Sequence, residues 1–169
     1  LSRLPKLLPH RLFPKVNYTV FADYKLELHR DPRSVVMENL ILPRQGFVAL
    51  RHPCTTTYHG AMRCQGVGKE PFVFYEGDFL TSLGASKTES VEALKQQMKR
   101  YRAMPSFTFE HYIEGAFLMR DASHALNREL CEAWWAEMQR TDSSDRDQPA
   151  FAFAVQTIPD LAPMLTPAP

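Results

Sequence analysis

Asp23 and Lys25 stand two residues apart, directly after the β-branched and aromatic run Tyr18-Thr19-Val20-Phe21-Ala22. Strand side chains alternate with period two, so a carboxylate and an ammonium at this spacing leave the strand's carboxyl end on one side. Such a pair suits a diphosphate: the carboxylate acts through a divalent metal or on a ribose hydroxyl, and the lysine is a fixed positive charge. The plainer alternative is an exposed salt bridge. Two further apolar runs finish in ionisable residues, Arg51-His52 and Arg120-Asp121. Arginine offers a planar fork for phosphate or carboxylate, and histidine orients a hydroxyl or moves a proton near neutral pH. Arg146-Asp147-Gln148 follows Ser144, so Asp147 is either the partner of a helix cap or a base aimed into a cleft. Lys6 and His10, four residues apart in a basic segment bounded by prolines, would share a helical face.

The elements that must position these groups are legible as punctuation and period. Tyr18–Ala22, Gly46–Leu50 and Gly115–Met119 read as three strands, the first with no clean alternation, as expected of burial on both faces. Asp31-Pro32 is an N-cap with proline at the first helical position, opening a short helix to about Ile41 with Val36 and Leu40 on one face. Ser86-x-x-Glu89 is a capping box before the stripe Val91, Leu94, Met98 and Tyr101, which stops by Pro105. Leu126, Leu130, Trp134 and Met138 recur every four residues along another helix, with Trp134 in the core and Trp135 available to a sugar ring. Ser144-x-x-Asp147, with Pro149 in the first turn, opens a last helix through Phe151, Phe153 and Val155. The sum is an α/β layered sheet with flanking helices, its charged residues gathered at the carboxyl ends of the strands where open sheets bind ligands. Residues 63–87 read as a loop-rich insertion with a short strand at Pro71–Tyr75. Residues 1–158 form the domain, and residues 159–169 a Pro-rich extended tail.

Composition bounds the function. In 169 residues, 44% hydrophobic and 23% charged, 20 lysines and arginines balance 19 aspartates and glutamates, so a single globular domain is expected with no long-range pull toward nucleic acid or anionic lipid. Recognition must be local. Three cysteines, Cys54, Cys64 and Cys131, show no metal-ligand spacing, although a Cys54–Cys64 bridge is compatible with an oxidising compartment. No apolar run reaches the length of a membrane span. No glycine-rich phosphate loop, GxSxG or HExxH motif is present. Leu1 in place of an initiator methionine is what a chain cut from a longer one would show.

As a set, Leu4-Pro5-Lys6-Leu7-Leu8-Pro9-His10-Arg11-Leu12-Phe13-Pro14, the block Tyr18 through Leu28, and Asp31-Pro32 resemble the glycosyltransferase-like family of plant, algal and bacterial proteins whose plant members are named for turgor regulation and seed mucilage. Gln97-Met98 with Tyr101, Trp135-x-Glu137 and Arg146-Asp147-Gln148 fit the same pattern, over about residues 2 to 155. The resemblance implies a GT-A-like, Rossmann-like fold that binds a nucleotide-sugar donor and transfers a hexose to a glycan or glycoprotein, with Golgi residence as a type II membrane protein in plants. It implies a strand ending in Asp-x-Asp that holds Mn or Mg on the diphosphate; here Asp23 is the candidate metal ligand and Lys25 stands in the second carboxylate's place, supplying the charge a metal would bring. Asp147 and Asp23 are then the catalytic candidates, and Lys25, Lys6, His10, Arg51, His52, Arg120, Arg146 and Gln148 line the donor cleft. The GT-A pattern also begins with a nucleotide-binding βαβ unit, for which no residues precede Leu1, so the chain is expected to be the C-terminal part of a catalytic domain. Two alternatives stand beside transfer: a sugar- or nucleotide-binding module without catalysis, and the lipid amide hydrolysis attributed to a plant branch of the family.

Overall fold

A nine-residue strand is the axis of the sheet in the computed structural model, which describes residues 3–51, 91–105, 107, 113–158, 161 and 165–168. This strand, β3 (Ile113–Asp121), is flanked by β1 (Tyr18–Ala22) and β2 (Phe47–Arg51), both antiparallel to it, with Val20 and Val48 each opposite Met119. The β2–β3 register shifts between Ala49 and Leu50. β4 (Leu165–Ala168), in the stretch read as an extended tail, pairs parallel to β2, giving the order β1-β3-β2-β4.

The α/β class holds, and the antiparallel pairing revises the expected site. Since β1 and β2 run opposite to β3, Asp23 and Arg51 leave the sheet where β3 begins, whereas Arg120-Asp121 lies at the other end. The three charged strand endings therefore do not form one crevice. β1 is an edge strand among the described residues, with Tyr18 and Val20 exposed, so its unalternating sequence does not mean burial on both faces.

Alternation along β2 and β3 makes two cores. Phe47, Ala49 and Leu118 face one side, where they pack with Leu7 and Leu8, with Leu130 and Trp134, and with Phe151. Val48 and Met119 face the other, against Val36 and Leu40. The first face is covered by α1 (Leu4–Leu7), α5 (Ala125–Met138) and α6 (Asp147–Thr157). A second short helix, α2 (Pro9–Leu12), follows α1 directly. The second face is covered by α3 (Pro32–Val36) and a π-helical turn at Met37–Ile41. Asp31 caps α3 as expected, its carboxylate accepting from the Arg33 N–H at 2.9 Å. The stripe on α4 (Val91–Arg102) is also as expected, with Leu94, Met98 and Tyr101 buried. The capping box at Ser86, the strand at Pro71–Tyr75, the 63–87 insertion and the Cys54–Cys64 pair lie outside the described residues.

Ser144 does not cap α6. Its hydroxyl donates to the Gln97 side-chain carbonyl at 2.6 Å, and its backbone N–H reaches the same oxygen at 3.2 Å. The Gln97 amide donates in turn to the Tyr101 hydroxyl at 2.9 Å, which donates to Glu137 at 2.8 Å. Glu137 also takes Arg100 at 2.7 Å and the Ser143 hydroxyl at 2.7 Å. Beside that carboxylate in a dry site, the Tyr101 phenol is held far above its ordinary range, by burial first and by Glu137 second. One buried carboxylate thus ties α4 to α5 and to the turn that leads into α6.

Removing it leaves Arg100, Tyr101 and Ser143 without their common acceptor. Glu137→Ala is expected to cost about 3 kcal/mol, since breaking a buried pair strands its partner. Urea denaturation checks this; an unchanged midpoint would mean that the network is not a stabilising anchor.

Candidate functional site

Three elements converge on a cleft of about 260 Å³ at the edge where β3 begins. The end of β1 contributes Phe21 and Asp23, the first residues of β3 contribute Glu114 and Gly115, and the first turn of α6 contributes Asp147 and Gln148. Arg3 and Lys6, from the segment that forms α1, complete the lining. Asp23 is held by the sheet: its N–H donates to the Ala116 carbonyl at 2.7 Å, extending the β1 ladder by one residue. Its carboxylate accepts the Lys25 N–H at 3.2 Å, closing a turn that sends Lys25 outward.

At the centre, the Lys6 ammonium is hydrogen-bonded to the Asp147 carboxylate, with the Arg3 guanidinium 3.9 Å from its other oxygen. Both Lys6 and Asp147 are largely withdrawn from solvent, where an ion pair is screened little. The Phe21 ring lies 5.1 Å from the Lys6 nitrogen. Asp147 is fixed from behind, its backbone carbonyl accepting the Trp134 indole N–H at 2.7 Å. Gln148 donates to the Ile113 carbonyl at 3.2 Å, which pins α6 to β3.

Gly115 is what lets these parts meet. A Cβ there would lie 2.6 Å from the Lys6 nitrogen and 3.3 Å from Asp147 Oδ2, so the strand backbone itself forms the floor. Next to it, the Glu114 carboxyl is pushed above its ordinary range, first by burial and then by the negative charges of Asp147 and Asp23. The Ala116 N–H and the Lys6 charge oppose that shift. Three carboxylates, two cations, an amide and one aromatic ring facing a small cleft form a surface suited to a hydroxyl-rich ligand carrying an anionic group.

Of the residues singled out from sequence, the structure brings Asp23, Lys6, Asp147 and Gln148 together and places Lys25, His10, Arg146 and Arg120 elsewhere. Lys25 is exposed, its ammonium 5.5 Å from the Tyr24 ring. His10 faces Glu132, with Nε2 and the carboxylate 2.8 Å apart, and Arg11 binds the same carboxylate. Arg146 is half-buried just before α6 and does not line the cleft. Arg51 ends β2 opposite Ile113, and His52 lies outside the described residues. Arg120, expected in the same cleft, is enclosed in the core, 2% exposed, because the antiparallel strand carries it to the far end of the sheet. Sequence reasoning missed Glu114, Arg3 and the role of Gly115. A carboxylate just ahead of an apolar run, in a sheet whose central strand runs antiparallel, was the signal that could have found Glu114.

Among the described residues no group of three or more His, Cys, Asp and Glu side chains is arranged to hold a metal ion, so Asp23 lacks the companions of a protein-built metal centre there. No helix of the described residues is long and apolar enough to cross a membrane. Residues 2–165 match the model of the family described as TOD1/MUCI70, glycosyltransferase-like domain. No curated protein matches the chain, and no solved structure does.

Two measurements test this geometry. Folding raises the Glu114 pKa, so the folded chain holds that proton more tightly than the unfolded one; Glu114 costs nothing below its ordinary value of 4.5 and progressively more as pH rises through the folded value. Glu114→Gln is therefore expected to match the parent at about pH 4 and to melt above it at about pH 8; a constant difference between the two would contradict the assignment. Gly115→Ala is expected to displace the Lys6 ammonium at a cost of about 1–3 kcal/mol, and to speed acetylation of Lys6 as read by peptide mass spectrometry.

Proposed function

The chain belongs to the TOD1/MUCI70 glycosyltransferase-like domain family, and we propose that it transfers a hexose from a nucleotide-sugar donor to a glycan or glycoprotein acceptor. The observation that carries this reading is the convergence of Asp23, Glu114 and Asp147 with Lys6 and Arg3 around a floor of bare strand backbone at Gly115. Transfer forms a bond from an acceptor hydroxyl oxygen to the anomeric carbon and breaks the bond from that carbon to the diphosphate. The acceptor loses a proton, and the leaving group gains negative charge. Asp23, half-buried in the lining of the cleft, is the group for the proton. Arg3 and Lys6 are the groups for the diphosphate, supplying fixed cations where charge develops. Asp147 holds those cations in place and, with Glu114 and Gln148, orients sugar hydroxyls.

A divalent cation remains part of the reading only as a passenger on the diphosphate, with Asp23 as its contact on the protein. The GT-A-like arrangement and a Golgi setting are the family context in which this activity belongs. In this scheme Lys25 is a flanking charge and Lys6 carries the role first assigned to it, on the observation that Lys6 faces the cleft and Lys25 faces outward.

Nucleoside diphosphate release from a panel of nucleotide hexoses, with and without glycan acceptors, tests the proposal. Activity is expected to fall by about 100-fold or more in Asp23→Asn, the loss typical of a removed general base. Activity unaffected by Asp23→Asn but lost in Lys25→Ala would overturn the residue roles. Glycan binding with no donor bound or cleaved would overturn transfer itself in favour of a binding module.

A further inference from the structure

Arg120 is the most anomalous side chain among the described residues. It is buried against Phe47 and Trp134 of the sheet's main core, and among the described residues none of its three guanidinium nitrogens has a hydrogen-bond partner. An arginine stays charged in a protein, so its burial without an acceptor is a large uncompensated cost. Part of that cost is offset by aromatic faces: the guanidinium lies 5.2 Å from the Phe47 ring and 5.9 Å from that of Trp134. The buried Cys131 thiol also faces it, and burial holds that thiol in its neutral form.

Arg120 also borders two recesses, its guanidinium buried behind their surface, and in both Thr19, its antiparallel partner on β1, is a neighbour. The smaller, of about 10 Å³, is close to the size of one water molecule. The larger, of about 290 Å³, is walled by Pro5, Pro9, Phe13 and Val16 beside β1. The Thr19 hydroxyl, like Arg120, is buried and without a partner among the described residues. A recess with apolar walls that ends against a buried cation and a buried hydroxyl, both unanswered among the described residues, has the composition of a ligand site, near the low end of the size range for such pockets. It is separate from the cleft. Gly115 and Arg120 are five residues apart on β3, roughly 17 Å along an extended strand.

We propose that this recess binds a small monocarboxylate with an apolar body, its carboxylate seated on Arg120 and Thr19 and its body against Pro5, Pro9, Phe13 and Val16. The planar fork of one arginine matches one carboxylate bidentately, and a single negative charge neutralises it; a phosphate monoester would bring a second charge, and among the described residues of the larger recess no second cation meets it, Arg128 and His10 lining only the smaller one. The same segment that carries Lys6 into the cleft forms the walls of the recess, and Phe21 lines both.

Thermal melting and isothermal titration of the whole chain with hexanoate, hexyl phosphate and hexanol test the proposal. Hexanoate is expected to raise Tm in a saturable way and to bind about tenfold more tightly than hexanol, since the charge-assisted contact is the one that differs. Arg120→Met should abolish the hexanoate response and melt above the ligand-free parent, because it removes a buried charge and keeps the volume. Should that variant fail to fold, Thr19→Val, which removes the second partner alone, is expected to weaken hexanoate and leave hexanol unchanged. Equal binding of hexanoate and hexanol, an undiminished hexanoate response in either variant, tighter binding of hexyl phosphate, or no response of the parent would each overturn it.

Discussion

The cleft depends on a carboxylate that is not in it. Glu137 gathers Arg100, Tyr101 and Ser143, and through Tyr101 and Gln97 it reaches Ser144. Three residues on, the chain places Asp147 at the first turn of α6, so the buried network determines where the helix begins. Every group in the chain from Ser144 to Glu137 has its partner, which is the condition under which a buried polar network rigidifies a fold. The surrounding aromatic stack, with Tyr101 and Phe153 centroids 5.0 Å apart, keeps the network dry.

Against that fixed helix, the site is assembled by close approach of backbone and charge. The Trp134 indole holds the Asp147 carbonyl from the core side, Gln148 holds the β3 backbone, and Lys6 bonds across the glycine floor. The arrangement places opposite charges where each is poorly solvated, and they compensate one another. Glu114, with a burial cost that its neighbours only partly oppose, is the group left in tension. A carboxyl raised by burial in a small polar cleft is a common property of sites that handle protons.

Much of this was legible in the residues. The Asp31-Pro32 cap, the Leu94, Met98 and Tyr101 stripe, the burial of Trp134 and three of the strands follow from local chemistry, since each depends on neighbours within a few positions. Asp23, Lys6, Asp147 and Gln148 were also found by residue type and spacing, and they do share a cleft. What local reading could not supply was strand direction. Apolar runs look alike in parallel and antiparallel sheets, so Arg120 was assigned to the same edge as Asp23, and the antiparallel register carries it to the opposite one. Ser144 illustrates the same limit at smaller scale: a cap motif is a local prospect for a hydroxyl, and a distant glutamine outcompeted it.

The ion pair at the centre of the cleft joins residues 141 positions apart in the chain. Closing a loop of that length costs about 4 kcal/mol of chain entropy, a sum that local contacts cannot offset until the sheet and α6 are in place. Contacts of such high sequence separation form late, after the nearer pairings have shortened the path between them. Any ligand that bridges Lys6 and Asp147 therefore binds only the fold in which α1 and α6 are both in place, and it stabilises the closure of the whole chain rather than of one element.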